Sequence, residues 1–477
     1  MRKTKRIEAT WIIVCAVLVL AVGAQAQFTA SYQTNIIDGV TNSWTGENYY
    51  IGNNFDGDAL LIQNDGGLTN ISNLYIGNLA SDSDNLLVVD GADSVLNNVG
   101  YQYVGYDGDN NQMIITNGGT VRVATTVPYT SMMGNNGQGN VAIVTGSNSL
   151  WDVRILTMGS SHGHGNLLRI VDGGRVVAKS SGNLSAIGMN ANNNTIEVSD
   201  PGSSLDCLGG LYVGRGHAGP VYASGNVLSI TNGGTANISK SLIIGNSTNA
   251  GNMVCVDGGN LLVTISTTRD RYISIPHGTL KINSGNVTAD KLLLEVYIST
   301  ANPSSLQFNG GNLSVRNTVA NNESPFVVGN GDSAAVLNLI SESSIVGSHS
   351  FSNELVIANN ATLSIGGTNV IREVTINGDM TLHTGAILDF DFNQTTTDYA
   401  QVNGTVTLPK IGTLQLRALD TSTRFPLTVL EATQIIGKPS GWPVVTVNDQ
   451  NYKMYVDENQ LVLDSPRPLP GTVIVIN

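Results

Sequence analysis

Short apolar runs of four or five residues, alternating in a period of two and separated by turns rich in Gly, Asn and Asp, recur along most of this chain. An apolar residue followed by glycine returns as Ile51-Gly52, Ile76-Gly77, Val104-Gly105, Met133-Gly134, Met158-Gly159, Ile187-Gly188, Val213-Gly214 and Ile244-Gly245. These rung glycines are 25, 28, 29, 25, 29, 26 and 31 residues apart. A second marker falls between them: Asp65-Gly66-Gly67, Asp90-Gly91, Asn117-Gly118-Gly119, Thr145-Gly146-Ser147, Asp172-Gly173-Gly174, Pro201-Gly202-Ser203, Asn232-Gly233-Gly234 and Asp257-Gly258-Gly259. Two independent markers holding one register define an internal repeat.

Counting back five and three residues from the turn glycine gives apolar pairs: Leu86 and Val88, Met113 and Ile115, Val141 and Ile143, Leu168 and Ile170, Leu228 and Ile230, Met253 and Cys255. These pairs are expected to face inward, because the residue between them varies freely, from Leu87 to Arg169 to Ser229. No stretch between the runs carries an apolar period of 3.6, so crossover helices are not expected. The reading is all-β: a parallel β-helix (β-solenoid) of about twelve coils, roughly 55–60 Å long at a strand spacing of about 4.8 Å. The expected layout is a signal peptide over 1–26, an N-terminal cap over 27–46, β-helix repeats over 47–370, a C-terminal β-rich cap region over 371–464 and a mobile tail over 465–477. Tyr452–Val456 and Gln460–Leu463, around Asp-Glu-Asn, form an expected closing hairpin.

Asn85, Asn140, Asn166, Asn226 and Asn252 lie six or seven residues before a turn glycine. Stacked asparagines can bond from coil to coil and satisfy buried backbone groups; as single residues they would be loop formers. Both readings stand at this level.

Composition places the protein outside the cytoplasm. Arg2, Lys3, Lys5 and Arg6 precede an apolar run from Trp11 to Val22, and Ala24-Gln25-Ala26 offers a cleavage site. The run is too short to span a bilayer comfortably, so no transmembrane segment is expected in the mature chain. Cleavage there would leave 19 Lys and Arg against 35 Asp and Glu, a net charge of −16. Such a surface repels nucleic acid and anionic membranes, which excludes nucleic-acid partners. Cys207 and Cys255, in different registers, are not expected to pair.

The chemistry-bearing residues are sparse. Asp56 and Asp58, Asp82 and Asp84, and Asp107 and Asp109 each follow a rung glycine closely, and stacked loops could gather them into an oxygen-rich edge for calcium. Solubilising loop charge is the preferred reading, and no other cofactor is expected. His162-Gly-His164 could suggest a metal, but His217, in the place equivalent to His162, would lie two coils and about 10 Å from it, too far for the two to share one ion. Solvated loops are the expected reading. Arg169, Arg175 and Arg215 come near one another in register without an acid–base set beside them. No Ser-His-Asp or Cys-His spacing is present, so no catalytic residue is assigned.

The Ile-Gly and Asn-Gly-Gly turns and the Gly-Ser-x-Ser-x-Trp turn at Gly146 to Trp151 resemble those of autotransporter passengers and related exported, adhesin-like β-strand-repeat proteins of bacteria. The similarity extends to Gly385-Ala-Ile-Leu-Asp-Phe, Asp398-Tyr-Ala-Gln-Val-Asn-Gly and Pro426-Leu-Thr-Val-Leu-Glu-Ala. It departs from that family in lacking room for a membrane barrel after the solenoid, and Leu469-Pro470-Gly471-Thr472 is followed by Val473 rather than a sorting signal. The resemblance implies the fold and a secreted or cell-surface location, not a ligand. With no catalytic set in the repeat, the expected function is a non-catalytic scaffold or adhesin, with a polysaccharide or another cell-surface component as ligand. The alternative on the same fold is a polysaccharide lyase or glycoside hydrolase.

Overall fold

A computed structural model describes residues 28–467 except 45, 124–129, 183, 217–222, 247–250, 264–270, 296–303, 342–346, 368–369, 394–395, 419–424 and 439–450. The expected signal segment and residues 468–477 of the expected tail lie outside the described residues. Among those described no helix is present, and none is therefore long and apolar enough to cross a membrane.

The chain winds as a parallel β-solenoid of about thirteen coils. In the first part each coil carries three short strands, as in Leu86–Asp90, Val95–Asn98 and Gln102–Val104. Each strand pairs in parallel with its counterparts one coil before and after, so Val88 lies between Leu61 and Ile114. The first strands stack into an eleven-stranded face running from Thr34–Asp38 to Ser305–Phe308. The second and third strands form two further faces that merge after Gly285. From there they run as single long strands, Gly285–Glu295 and Gly311–Asn321.

Both expected caps are shorter than the sequence suggested. Thr34–Asp38 and Thr41–Ser43 pair in parallel with Ala59–Gln63 and Gly67–Ile71, so the span 27–46 already holds the first coil. Over it, the buried Phe28 and the Trp44 ring, edge-on to Tyr49 at 5.0 Å, close the core. At the other end, Glu373–Leu382, Tyr399–Thr407 and Leu427–Ile436 continue the parallel stack beyond residue 370. Pairing turns antiparallel only where Asn451–Asp457 and Gln460–Arg467 form the hairpin and lay it on Leu427–Ile436. The spacing was irregular to the eye because the longer strands there carry two faces each and shift register between Ser350 and Glu354 and between Val402 and Thr405.

The inward register is the second correction. On the first face the buried residues are Leu87 and Val89, Met113 and Ile115, Ala142 and Val144, Leu168 and Ile170, Leu228 and Ile230, and Val254 and Val256. Three of the expected pairs are inward, while Leu86/Val88, Val141/Ile143 and Met253/Cys255 point out. The cause lies in the turns. At Asn117-Gly118 both residues have positive φ and Gly119 N–H donates back to Thr116 O at 2.9 Å. At Gly91 the glycine comes one position earlier, and Ser94 N–H donates to Gly91 O at 3.2 Å. Because Asp90 pairs with Thr116, the two turn glycines are not equivalent, and a count from them slips by one. A slip of one residue reverses every side chain on the strand. Cys255 is accordingly half-buried and outward, while Cys207 is fully buried, its thiol pushed up to about 12 by burial, so Cys207 is the inert one. Neither is bonded to the other.

Candidate functional site

The corner between the third and first faces holds the most regular feature of the molecule. Asn85, Asn111, Asn140, Asn166, Asn194, Asn226 and Asn252 are all buried and stacked coil on coil. Each Oδ1 from Asn111 onward accepts twice from the asparagine one coil earlier. Asn166 Oδ1, for example, accepts Asn140 N–H at 2.9 Å and Asn140 Nδ2–H at 3.0 Å. The ladder reading of the asparagines is therefore the right one, with Asn111 and Asn194 added. Those two sit in runs, Asn110-Asn111 and Asn192-Asn193-Asn194, where residue type alone cannot single out the inward member.

The rung glycines belong to the same device. Gly105 has φ +72, and a Cβ on it would lie 2.2 Å from Asn140 Nδ2; Gly77 stands in the same relation to Asn111 and Gly188 to Asn226. Glycine is required here both for its backbone conformation and for the space the next asparagine occupies. Each rung glycine and the ladder asparagine it faces are thus one corner device.

The six aspartates of the loops are not gathered at one edge. Asp58 and Asp82 are fully buried. Asp82 accepts Asn54 N–H at 2.9 Å and Leu79 N–H at 2.8 Å, and Asp56 accepts Ser83 N–H at 2.8 Å. Asp109 accepts Gln138 N–H at 2.7 Å, Asp107 accepts Asn136 Nδ2–H at 2.7 Å, and Asp84 is an exposed turn residue with φ 61. Asp58 stands at the head of the asparagine column. These carboxylates tie neighbouring coils together through backbone and amide donors. Among the described residues no three or more His, Cys, Asp or Glu side chains are placed to hold a metal ion.

The other candidates also resolve into structural pairs. Arg169 meets Glu197 at 3.0 Å and Arg175 meets Asp206 at 2.7 Å, one coil apart on outward faces, while Arg215 lies over the Tyr212 ring at 5.1 Å. Asn192 N–H donates to His164 Nδ1 at 2.9 Å, and His217 lies outside the described residues. A cavity of about 150 Å³ is lined by Leu294, Ser304, Leu306, Asn322, Phe326 and their neighbours, none of them ionisable. Ligand pockets are typically several times larger, and acid–base chemistry needs a titratable group.

One outward feature was missed. Tyr50, Tyr75 and Tyr103 are in register on the third face, with ring centroids 4.9 Å apart at each step and interplanar angles of 18° and 22°. Tyr101 and Tyr106 pack against this column at 5.8 Å and 4.8 Å from Tyr103. Burial and the neighbouring phenols push the Tyr75 hydroxyl above its ordinary pKa, so it is a neutral donor and acceptor. The signal was present, since each of the three tyrosines stands two residues before a rung glycine. Tyr50 and Tyr75 are half-buried and Tyr103 is buried at 8% exposure, so the column offers ring edges to solvent chiefly from the first two.

No protein-family model matches this chain, and no curated protein matches it. Among solved structures it is similar to a TibC-catalyzed, hyper-glycosylated TibA55-350 fragment, at 11% sequence identity over 82% of this chain and 97% of that one, with a TM-score of 0.28.

Proposed function

We propose that this protein is an exported, non-catalytic scaffold that binds an uncharged polysaccharide or a similar hydroxyl-rich cell-surface component along its outward faces. The observation that carries the reading is repetition: outward side chains fall in rows one coil apart, as Tyr50 and Tyr75 do on the third face and Asn260, Asn286 and Asn312 on the second. A polymer lying along the rod would meet equivalent weak contacts at every step, and attachment would come from their number. The formal charge of −13 disfavours polyanions as ligands. The loop carboxylates are largely occupied by backbone and amide donors, which supports a role in holding coils rather than in acid–base chemistry or ion binding.

Pull-down of the purified chain on insoluble uncharged polysaccharides (cellulose, chitin, mannan) tests this. Retention on at least one is expected, unchanged by a calcium chelator. Tyr50→Ala combined with Tyr75→Ala should weaken it about tenfold, since aromatic side chains carry the larger share of contact energy. No retention on any, or retention that vanishes with the chelator, would contradict the reading.

A further inference from the structure

The asparagine ladder begins on a residue that is not asparagine. Asp58 fills the ladder position of the second coil: its backbone N–H donates to Asn85 Oδ1 at 2.9 Å, and its Oδ1 accepts Gln33 N–H at 2.9 Å. In the members from Asn85 to Asn226 the amide Nδ2 makes the second donation to the asparagine of the next coil, at 2.9–3.2 Å. Asp58 has a carboxyl oxygen in that place. This Oδ2 is buried without a hydrogen-bond partner, and it takes the place from which each asparagine Nδ2–H donates to the Oδ1 of the next coil, here that of Asn85. Two acceptors side by side in a buried corner repel unless a proton lies between them.

We propose that Asp58 serves as a neutral acid, donating its Oδ2 proton to Asn85 Oδ1 of the third coil, and that this bond latches the first two coils to the rod in acid and releases them as the proton is lost to solvent. The charged groups facing Asp58 are Asp56 on its own loop and Asp82 on the loop of the next coil, both anionic, and Gln33 and Asn85 are neutral. Burial, with a smaller push from those two carboxylates, raises its pKa from 3.8 to about 6 despite the Gln33 N–H. The folded chain thus holds this proton more tightly than the unfolded one. The stabilisation is complete below about pH 4, declines as the pH rises, and is gone above about pH 6. A rise from 3.8 to about 6 corresponds to about a hundredfold change in the opening equilibrium of the first two coils at their seam with the third.

Hydrogen exchange read by mass spectrometry on the full chain, corrected for intrinsic rates, tests the latch. Protection of the strands from Thr34 to Ile76, the first two coils, should fall by tens-fold to a hundredfold between pH 4 and pH 7, while the coil around Leu168 and Ile170 stays constant. Asp58→Asn supplies the missing amide donor and should make the protection independent of pH, at or above the wild-type level at pH 4. Wild-type first and second coils whose protection does not change with pH overturn the proposal, whatever the variant does. So does an Asp58→Asn chain, folded elsewhere, that retains the pH dependence.

Discussion

Replacing Asn166 by alanine is expected to destabilise the rod by about 3–5 kcal/mol, because three buried hydrogen bonds are lost and their partners are stranded. Asn140 would lose the acceptor for both its N–H and its Nδ2–H, and Asn194 Oδ1 would lose its side-chain donor. The site is buried and lies between two coils. In a solenoid each coil contacts only its neighbours, so the damage should appear as a split transition in urea, with one side of the break unfolding first. The matched control is Asn286→Ala. Asn286 sits in an outward row, donating to Asn260 Oδ1 and accepting from Asn312 Nδ2–H, both at 2.9 Å, but exposed to water. Its loss should cost less than about 1 kcal/mol, since water replaces the partner. Equal effects of the two substitutions would mean that the corner column is ornament and that the strands alone hold the coils.

A comparably large effect is expected at Gly105. Alanine there adds about 1 kcal/mol of backbone strain at φ +72. Its Cβ, 2.2 Å from Asn140 Nδ2, must also drive the ladder side chain off its bonds, for a total of about 3–4 kcal/mol. Gly165 separates the two terms. It has φ +68 with nothing within 4 Å of an added Cβ, so Gly165→Ala should cost only about 1 kcal/mol. A double-mutant cycle with Asn140→Ala completes the measurement. Once the asparagine is gone, the extra penalty at Gly105 should disappear, a coupling of about 2 kcal/mol. Additive effects would show that rung glycine and ladder asparagine are unrelated.

These two substitutions also mark where sequence reasoning reached and where it stopped. Repetition was legible because the solenoid needs glycine at the same corner of every coil, and each coil writes Ile-Gly or its equivalent again. The facing of the strands was not, because Gly91 and Gly118 supply positive φ at different steps of their turns, and the hydrophobic runs Leu86–Val89 and Val141–Val144 are apolar on both faces. Leu168-Arg169-Ile170 and Leu228-Ser229-Ile230, with a polar middle residue, were placed correctly for that reason. The end of the solenoid was overlooked because the second and third strands merge after Gly285 into single long strands. The three-run pattern of each coil is lost there, although Gly311 and Gly329 keep the positive φ of the turn and rung glycines. Of the candidate chemistry, the aspartates were visible as residues but not as hydrogen-bond acceptors, since the donors are backbone N–H groups 27 to 29 residues away. The tyrosine column lay in plain view beside the rung glycines and required only that the register be read outward.

The central claim, that function resides in repetition rather than in one site, is tested most directly by deleting two-coil units in register. Removing residues 112–166 brings Leu167 to the place of Gln112, and removing 167–226 brings Val227 to the place of Leu167. Both keep the closing hairpin, the first coil and an unbroken asparagine column. Each shortened rod, once shown to fold by its far-ultraviolet spectrum and cooperative melting, is assayed for polysaccharide retention and for release of soluble sugar. A graded loss of retention with every unit removed, and no sugar release by any chain, is the predicted result. Sugar release by the full chain that one deletion abolishes and the other leaves intact would contradict it and identify an enzyme.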